Sequence, residues 1–140
     1  MKPCQSKTEG RKACGKLVFT GRLLCSLFFV WVGVMHFLRP GRFVQITPEI
    51  LPYRKELVLI SGAFEILGGL GLLIPKTRRL AGKGLIALLI AVFPANINMA
   101  VNKIDFGFIP QWVLWARLPL QFLLIYLVNL ISKESKNPKE

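Results

Sequence analysis

A single carboxyl group interrupts the most apolar stretch of this sequence. Glu65 is the only charged residue of the segment 57–75, LVLISGAFEILGGLGLLIP. An acid at the centre of a membrane-spanning helix is unfavourable by about 2.5–3.5 kcal/mol, and such residues usually mark a proton path, a ligand site or a polar partner. The surrounding Leu, Ile, Val and Phe residues each recover about 0.3–0.6 kcal/mol, so the segment still inserts. Glu65 is therefore the first candidate for proton acceptance or ligand binding.

Other polar side chains lie in apolar segments along the chain, and one of them is a cation. The candidates for ligand binding are His36, Ser61, Glu65, Asn96, Asn98, Arg117 and Gln121. Arg117 offers the opposite charge at a similar predicted depth, so we predict a Glu65–Arg117 pair, and these two residues are the candidates for any catalytic role. Such a pair could act in function, or it could only fix the register of the helices.

Four apolar segments must position these residues. They run over about 17–38, 57–74, 80–101 and 112–131, and eighteen residues of helix at about 1.5 Å per residue span roughly 27 Å, close to the hydrocarbon core of a bilayer. The hydrophobic fraction of 53% and the mean hydropathy of +0.50 are too high for a soluble chain of this length. The sequence predicts an all-α membrane protein, a four-helix bundle with polar tails at 1–16 and 132–140 and an apolar, proline-rich loop at 39–56.

The distribution of Lys and Arg predicts the orientation. Twelve of these residues fall in the two tails and the 76–83 turn, against five in the other two loops. By the positive-inside rule both termini are cytoplasmic, and the seven candidate side chains then lie in the outer half of the membrane. Unpaired polar groups are costly there, so we expect them to converge inside the bundle.

Spacing predicts which faces pack. Gly62, Glu65 and Gly69 share one face of the second segment, where a neighbouring helix can approach closely, and the alanines at 87, 91 and 95 form a matching small-residue ridge on the third. Arg22, Ser26, Phe29, Gly33 and His36 share one face of the first segment. Pro94 is expected to kink the third helix near the two asparagines.

Several classes of function receive no support from the sequence. The cysteines at 4, 14 and 25 contain no CxxC pair and no metal-ligand spacing, and one histidine without a second ligand argues against haem. No metal site is predicted. The net charge of +12 arises from loops and tails between apolar segments, which indicates a membrane surface rather than nucleic acid as the partner.

The motifs GVMHFLRPGRF, SGAFEILGGLGLLIP, TRRLAGKGL, VFPANINMAV and WARLPLQFLLI resemble, in this order, the DoxX-like family of small membrane proteins. The resemblance covers about residues 17–131 and implies a four-helix membrane bundle. The family takes its name from a subunit of a thiosulfate:quinone oxidoreductase, some members are linked to membrane redox complexes, and distant eukaryotic relatives resemble assembly chaperones. The matching polar and proline positions are signature residues of the family, without a known catalytic role.

Three functional hypotheses follow. The first is an accessory or quinone-linked subunit of a redox system in the bacterial cytoplasmic membrane, with a soluble or membrane redox partner. The second is a non-enzymatic assembly factor or structural subunit. The third is a small-solute or proton conductor, which would favour a homo-oligomer. No resident cofactor is evident from the residues, and quinone is the small molecule that the first hypothesis places at the polar cluster.

Overall fold

The computed structural model describes residues 8–102 and 109–133, and within these ranges the chain is all-helical. Its elements are α1 (Thr8–Leu38), α2 (Pro40–Ile46), α3 (Arg54–Leu73), α4 (Arg78–Val101) and α5 (Gln111–Lys133). Four of them, all except α2, are long and apolar enough to cross a membrane. The architecture is therefore that of a multi-pass membrane protein, as predicted.

The spanning helices pack in sequence order. α3 packs between α1 and α4, and α5 packs mainly on α4. Arg22 joins α1 back to α5, because its Nε donates to the carbonyl oxygen of Ile131 at 2.9 Å. One apolar cluster fills this end of the bundle, and its buried members are Phe29, Leu72, Leu85, Leu89, Val128 and Ile131. A second cluster, of Ile46, Met99, Ala100 and Leu114, fills the opposite end, which we call the α2 end.

The short helix α2 lies where the sequence predicts only a loop. Pro40 occupies its first turn, where proline suits a helix because its fixed φ is already helical and no hydrogen bond is lost. Thr47 ends it in an extended conformation, and its hydroxyl donates to the carbonyl of Phe43 at 2.9 Å. Buried Ile46 anchors α2 in the second cluster, so this segment closes one end of the bundle.

The helix boundaries differ most at the N-terminus. α1 begins at Thr8, nine residues before the apolar segment, so part of the predicted tail is helical. The described part of this stretch holds Lys12 and Ala13 and no proline, and lysine and alanine both favour helix. Hydropathy marks where a membrane segment starts, not where the helix starts. At the C-terminus α5 continues to Lys133. The predictions made for residues 1–7, 103–108 and 134–140 lie outside the described residues.

The glycine face of α3 packs against α1, which corrects the predicted partner. A Cβ atom added to Gly62 would meet the Cβ of His36 at 2.6 Å and the carbonyl oxygen of Gly33 at 2.9 Å. A Cβ on Gly69 would meet the carbonyl oxygen of Ser26 at 3.0 Å. The predicted alanine ridge does not pack on this face, and Ala87 is exposed.

Two other glycines of α3 allow close packing against α4. Cβ atoms on Gly68 and Gly71 would meet side-chain atoms of Leu85 at 2.6 Å and Ala81 at 2.7 Å. α3 therefore carries two small-residue faces, and spacing alone does not say which neighbour uses which. The predicted face of α1 is confirmed, since Arg22, Ser26, Phe29 and His36 are all buried.

Candidate functional site

The close approach of α1 and α3 places His36 beside Glu65. The Nδ1 atom of His36 lies 3.3 Å from Oε2 of Glu65, and each residue is only 7% exposed. The glycines on either side of the contact remove the side chains that would separate the two helices. Glu65 thus has a neighbour that the sequence did not single out as its partner.

Two oxygen atoms lie near Nδ1 of His36, but only one of them receives its hydrogen bond. Nδ1 also lies 2.9 Å from the carbonyl oxygen of Val32, one turn earlier on the same helix. If Nδ1 carried no hydrogen, its lone pair would face two oxygen atoms and be repelled by both. Nδ1 therefore carries the hydrogen of the neutral imidazole and donates it to the nearer oxygen, that of Val32. Oε2 of Glu65 is left fully buried without a hydrogen-bond partner among the described residues. Phe43 of α2 stacks on the imidazole at a centroid distance of 3.8 Å and holds the ring in place.

The predicted ion pair between Glu65 and Arg117 does not form in direct contact. Among the described residues, the basic side chain with a nitrogen within 4.0 Å of the Glu65 carboxylate is His36. Nη1 of Arg117 instead lies 3.8 Å from the sulfur of Met99 on α4. The reason is the order in which the helices pack. Glu65 lies on α3 and Arg117 on α5, and α4 packs between these two helices.

A buried amide pair connects α4 to α5. Nδ2 of Asn96 donates to Oε1 of Gln121 at 2.6 Å, and Nε2 of Gln121 donates to the carbonyl oxygen of Leu89. Both side chains are buried. These contacts give the two predicted ligand residues a structural role, and Gln121 does not border the cavity described below.

We expect Gln121→Leu to destabilise the bundle by about 1 kcal/mol, because it removes the acceptor of a buried donor on Asn96. The measurement is thermal unfolding of the purified protein in one detergent. The matched comparisons are Asn96→Leu and the double variant. We expect the double variant to lose less unfolding free energy than the two single variants lose together. Strict additivity would contradict this account of the amide pair.

Asn98 is also structural in this arrangement. Its Nδ2 donates to the carbonyl oxygen of Ile46 at 2.9 Å, which ties the end of α2 to α4. The sequence predicts Asn98 as a ligand residue, but it does not border the cavity. It fixes instead the segment that covers one side of that cavity.

The remaining five predicted residues border one cavity of about 470 Å³ at the α2 end. These are His36, Ser61, Glu65, Asn96 and Arg117, contributed by all four spanning helices. The rest of the wall is mostly apolar: Val32, Phe43, Ile46, Thr47, Pro48, Ile50, Leu51, Leu57, Val58, Ala91, Val92, Pro94 and Ala95. A chamber of this size with a few polar groups in an apolar wall is typical of small-molecule sites. The predicted convergence of polar groups is therefore present for five of seven residues.

Sequence reasoning missed one wall of the cavity. Phe43 and Ile46 of α2, and the segment 47–51 after it, border the chamber. A usable signal was the run PGRFVQI, in which proline starts a helix and apolar residues recur three positions apart. The segment ends at Tyr53, whose φ of 53° is left-handed, so the chain turns sharply into α3.

Among the described residues, no group of three or more His, Cys, Asp or Glu side chains comes together that could hold a metal ion. Cys25 is a free thiol that packs beside the first apolar cluster. Pro94 lies inside α4, which continues as one helix from Arg78 to Val101.

Comparison with known proteins identifies a family. The family model described as Domain of unknown function (DUF8561) matches residues 24–132. The chain belongs to this family, because the match covers most of its length, from the middle of α1 nearly to the end of α5. No curated protein and no solved structure matches it.

Proposed function

We propose that this DUF8561 member binds a membrane-soluble small molecule of the quinone type and acts as an accessory or quinone-linked subunit of a membrane redox system. The observation that carries the proposal is the convergence of five polar residues from four helices on one cavity with an otherwise apolar wall. A purely structural polar cluster would pair its members with one another. Here Oε2 of Glu65 lacks a hydrogen-bond partner and Arg117 contacts only a weak sulfur acceptor within the described part of the chain.

The cavity matches the chemistry of a quinone. Its apolar wall suits a ring and the start of an isoprenoid tail, and its volume lies within the range of small-molecule sites. The carbonyl oxygens of a quinone accept hydrogen bonds, and Arg117 and Ser61 are the donors on the wall. Glu65 would accept a proton, and Arg117 would stabilise negative charge on the bound ring.

The resemblance to DoxX-like proteins supports a quinone-type ligand, because that family is named after a subunit of a quinone-linked oxidoreductase. The proposal requires a second protein, soluble or membrane-bound, that exchanges electrons with the bound quinone. The chain itself is proposed to provide the binding site and the proton acceptor.

The proposed location is the bacterial cytoplasmic membrane, with both termini in the cytoplasm and the cavity in the outer half of the bilayer. The excess of Lys and Arg in the tails and the 76–83 turn supports this orientation. A fusion of green fluorescent protein to the C-terminus should fluoresce, and a fusion of alkaline phosphatase at the same position should be inactive. The reverse pattern would contradict the orientation.

The direct test is titration of the detergent-purified protein with decylbenzoquinone. We expect saturable binding to wild type and binding at least about tenfold weaker to Arg117→Gln, because a charge-assisted hydrogen bond is lost. The matched control is Arg79→Gln, since Arg79 is exposed at the other end of the bundle, and its affinity should equal that of wild type. Absence of saturable binding of both decylbenzoquinone and its hydroquinone to folded wild type would contradict the proposal.

A further inference from the structure

The carboxylate of Glu65 lacks the hydrogen-bond donor that a buried carboxylate requires. The residue is 7% exposed and borders the cavity, and its Oε2 has no hydrogen-bond partner in the described residues. The nearest donor, Nδ1 of His36, has a single hydrogen, and the carbonyl oxygen of Val32 is closer to it. Buried polar atoms in native proteins are almost always satisfied. Because Glu65 borders the cavity, a donor group on a molecule bound there would satisfy this carboxylate.

Arg117 shows the complementary deficit. Its guanidinium has five N–H groups, and its hydrogen-bonding contact in the described residues is the sulfur of Met99 at 3.8 Å. A thioether is a weak acceptor, so this side of the cavity requires an oxygen that accepts. Ser61 also borders the cavity, and its hydroxyl can either donate a hydrogen bond to a ligand oxygen or accept one from a ligand hydroxyl.

The two charges together restrict the ligand. A cationic head group would donate to Glu65 but would be repelled by Arg117. An anionic head group would accept from Arg117 but would be repelled by Glu65. Repulsion between like charges is strong in a cavity with an apolar wall, because the surrounding dielectric is low. An uncharged head group that both donates and accepts meets neither penalty.

We infer that the head group bound here is an uncharged hydroxyl, which donates its O–H to the carboxylate of Glu65 and accepts at its oxygen from Arg117. This inference rests on the proposed function, because it concerns the same cavity. It narrows the class of ligand to membrane-soluble phenols or alcohols. Within the quinone class, it selects the reduced form, whose ring carries hydroxyl groups, over the oxidised form, whose carbonyl groups only accept.

The test compares 4-decylphenol with its methyl ether, 4-decylanisole, on the full chain in detergent. The two probes share tail, ring and oxygen and differ in the O–H donor. We expect wild type to bind the phenol at least about tenfold more tightly than the ether, and we expect this preference to fall to about twofold or less in Glu65→Leu. The matched control is Glu56→Leu, because Glu56 is an exposed carboxylate on the same helix; it should keep the preference of wild type.

The result that overturns the inference is equal affinity of wild type for the phenol and the ether, and this comparison does not depend on any variant folding. Saturable binding of decylbenzoquinone in that case would leave the proposed function standing. Preference for the phenol without binding of either decylbenzoquinone or its hydroquinone would support the inference and contradict the quinone proposal. A preference that survives in folded Glu65→Leu would also overturn the inference, since another group would then receive the hydroxyl.

Discussion

Glu65→Leu is expected to stabilise the ligand-free protein by about 1–3 kcal/mol while it weakens ligand binding at least about tenfold. The gain in stability follows because the wild-type carboxylate is buried and has an oxygen without a donor, and an unsatisfied buried polar atom costs about that much. The substitution leaves no new unpaired group, since Nδ1 of His36 retains the carbonyl oxygen of Val32. Chemical or thermal unfolding in one detergent measures the change.

The control for this prediction is Glu56→Leu, which removes an exposed carboxylate from the same helix and should change the unfolding free energy by about 0.5 kcal/mol or less. A loss of stability of several kcal/mol in Glu65→Leu would show instead that the contact with His36 is a structural ion pair. That outcome would favour the assembly-factor hypothesis, because the polar cluster would then serve the bundle itself.

Gly62→Leu is expected to destabilise the bundle by about 3 kcal/mol, the upper part of the range for overpacked sites. The first added atom alone would meet the Cβ of His36 at 2.6 Å and the carbonyl oxygen of Gly33 at 2.9 Å. Both obstacles belong to the core of α1 rather than to the end of a flexible side chain, so α1 and α3 would have to separate. Unfolding in detergent measures the cost, and separation of the helices should also weaken ligand binding by displacing His36.

Gly84→Leu provides the matched control for that change. A Cβ atom at Gly84 meets nothing within 4 Å, and leucine favours helix over glycine by up to about 1 kcal/mol. This variant should therefore be neutral or slightly stabilised. Equal effects of the two substitutions would contradict the close approach of α1 and α3 at Gly62.

Much of the architecture could be predicted, because membrane insertion depends on local composition. Four apolar segments of sufficient length identify four spanning helices, and the cost of unpaired polar groups in lipid predicts that such groups converge. The presence of His36, Ser61, Glu65, Asn96 and Arg117 around one cavity agrees with that physical argument. The resemblance to DoxX-like proteins stays a prediction.

The partners of these residues could not be predicted, because they depend on the order of helices in the bundle. Two glycine faces on α3 are equally suited to close packing, and only the three-dimensional arrangement assigns Gly62 to α1 and Gly68 to α4. This assignment gives Glu65 a contact with His36 and leaves Arg117 against Met99. The charge-matching argument for a Glu65–Arg117 contact considered depth but not lateral position.

The most direct test of the central claim, that the cavity holds a membrane-soluble ligand, is mass spectrometry of the lipid extract from purified wild type and Arg117→Gln. The account predicts a near-stoichiometric quinone or hydroquinone in wild type, and its loss from the folded variant but not from Arg79→Gln. Absence of any quinone-type or hydroxyl-bearing small molecule from folded wild type would contradict the claim. Equal retention by wild type and Arg117→Gln would contradict the assignment of Arg117 to the site.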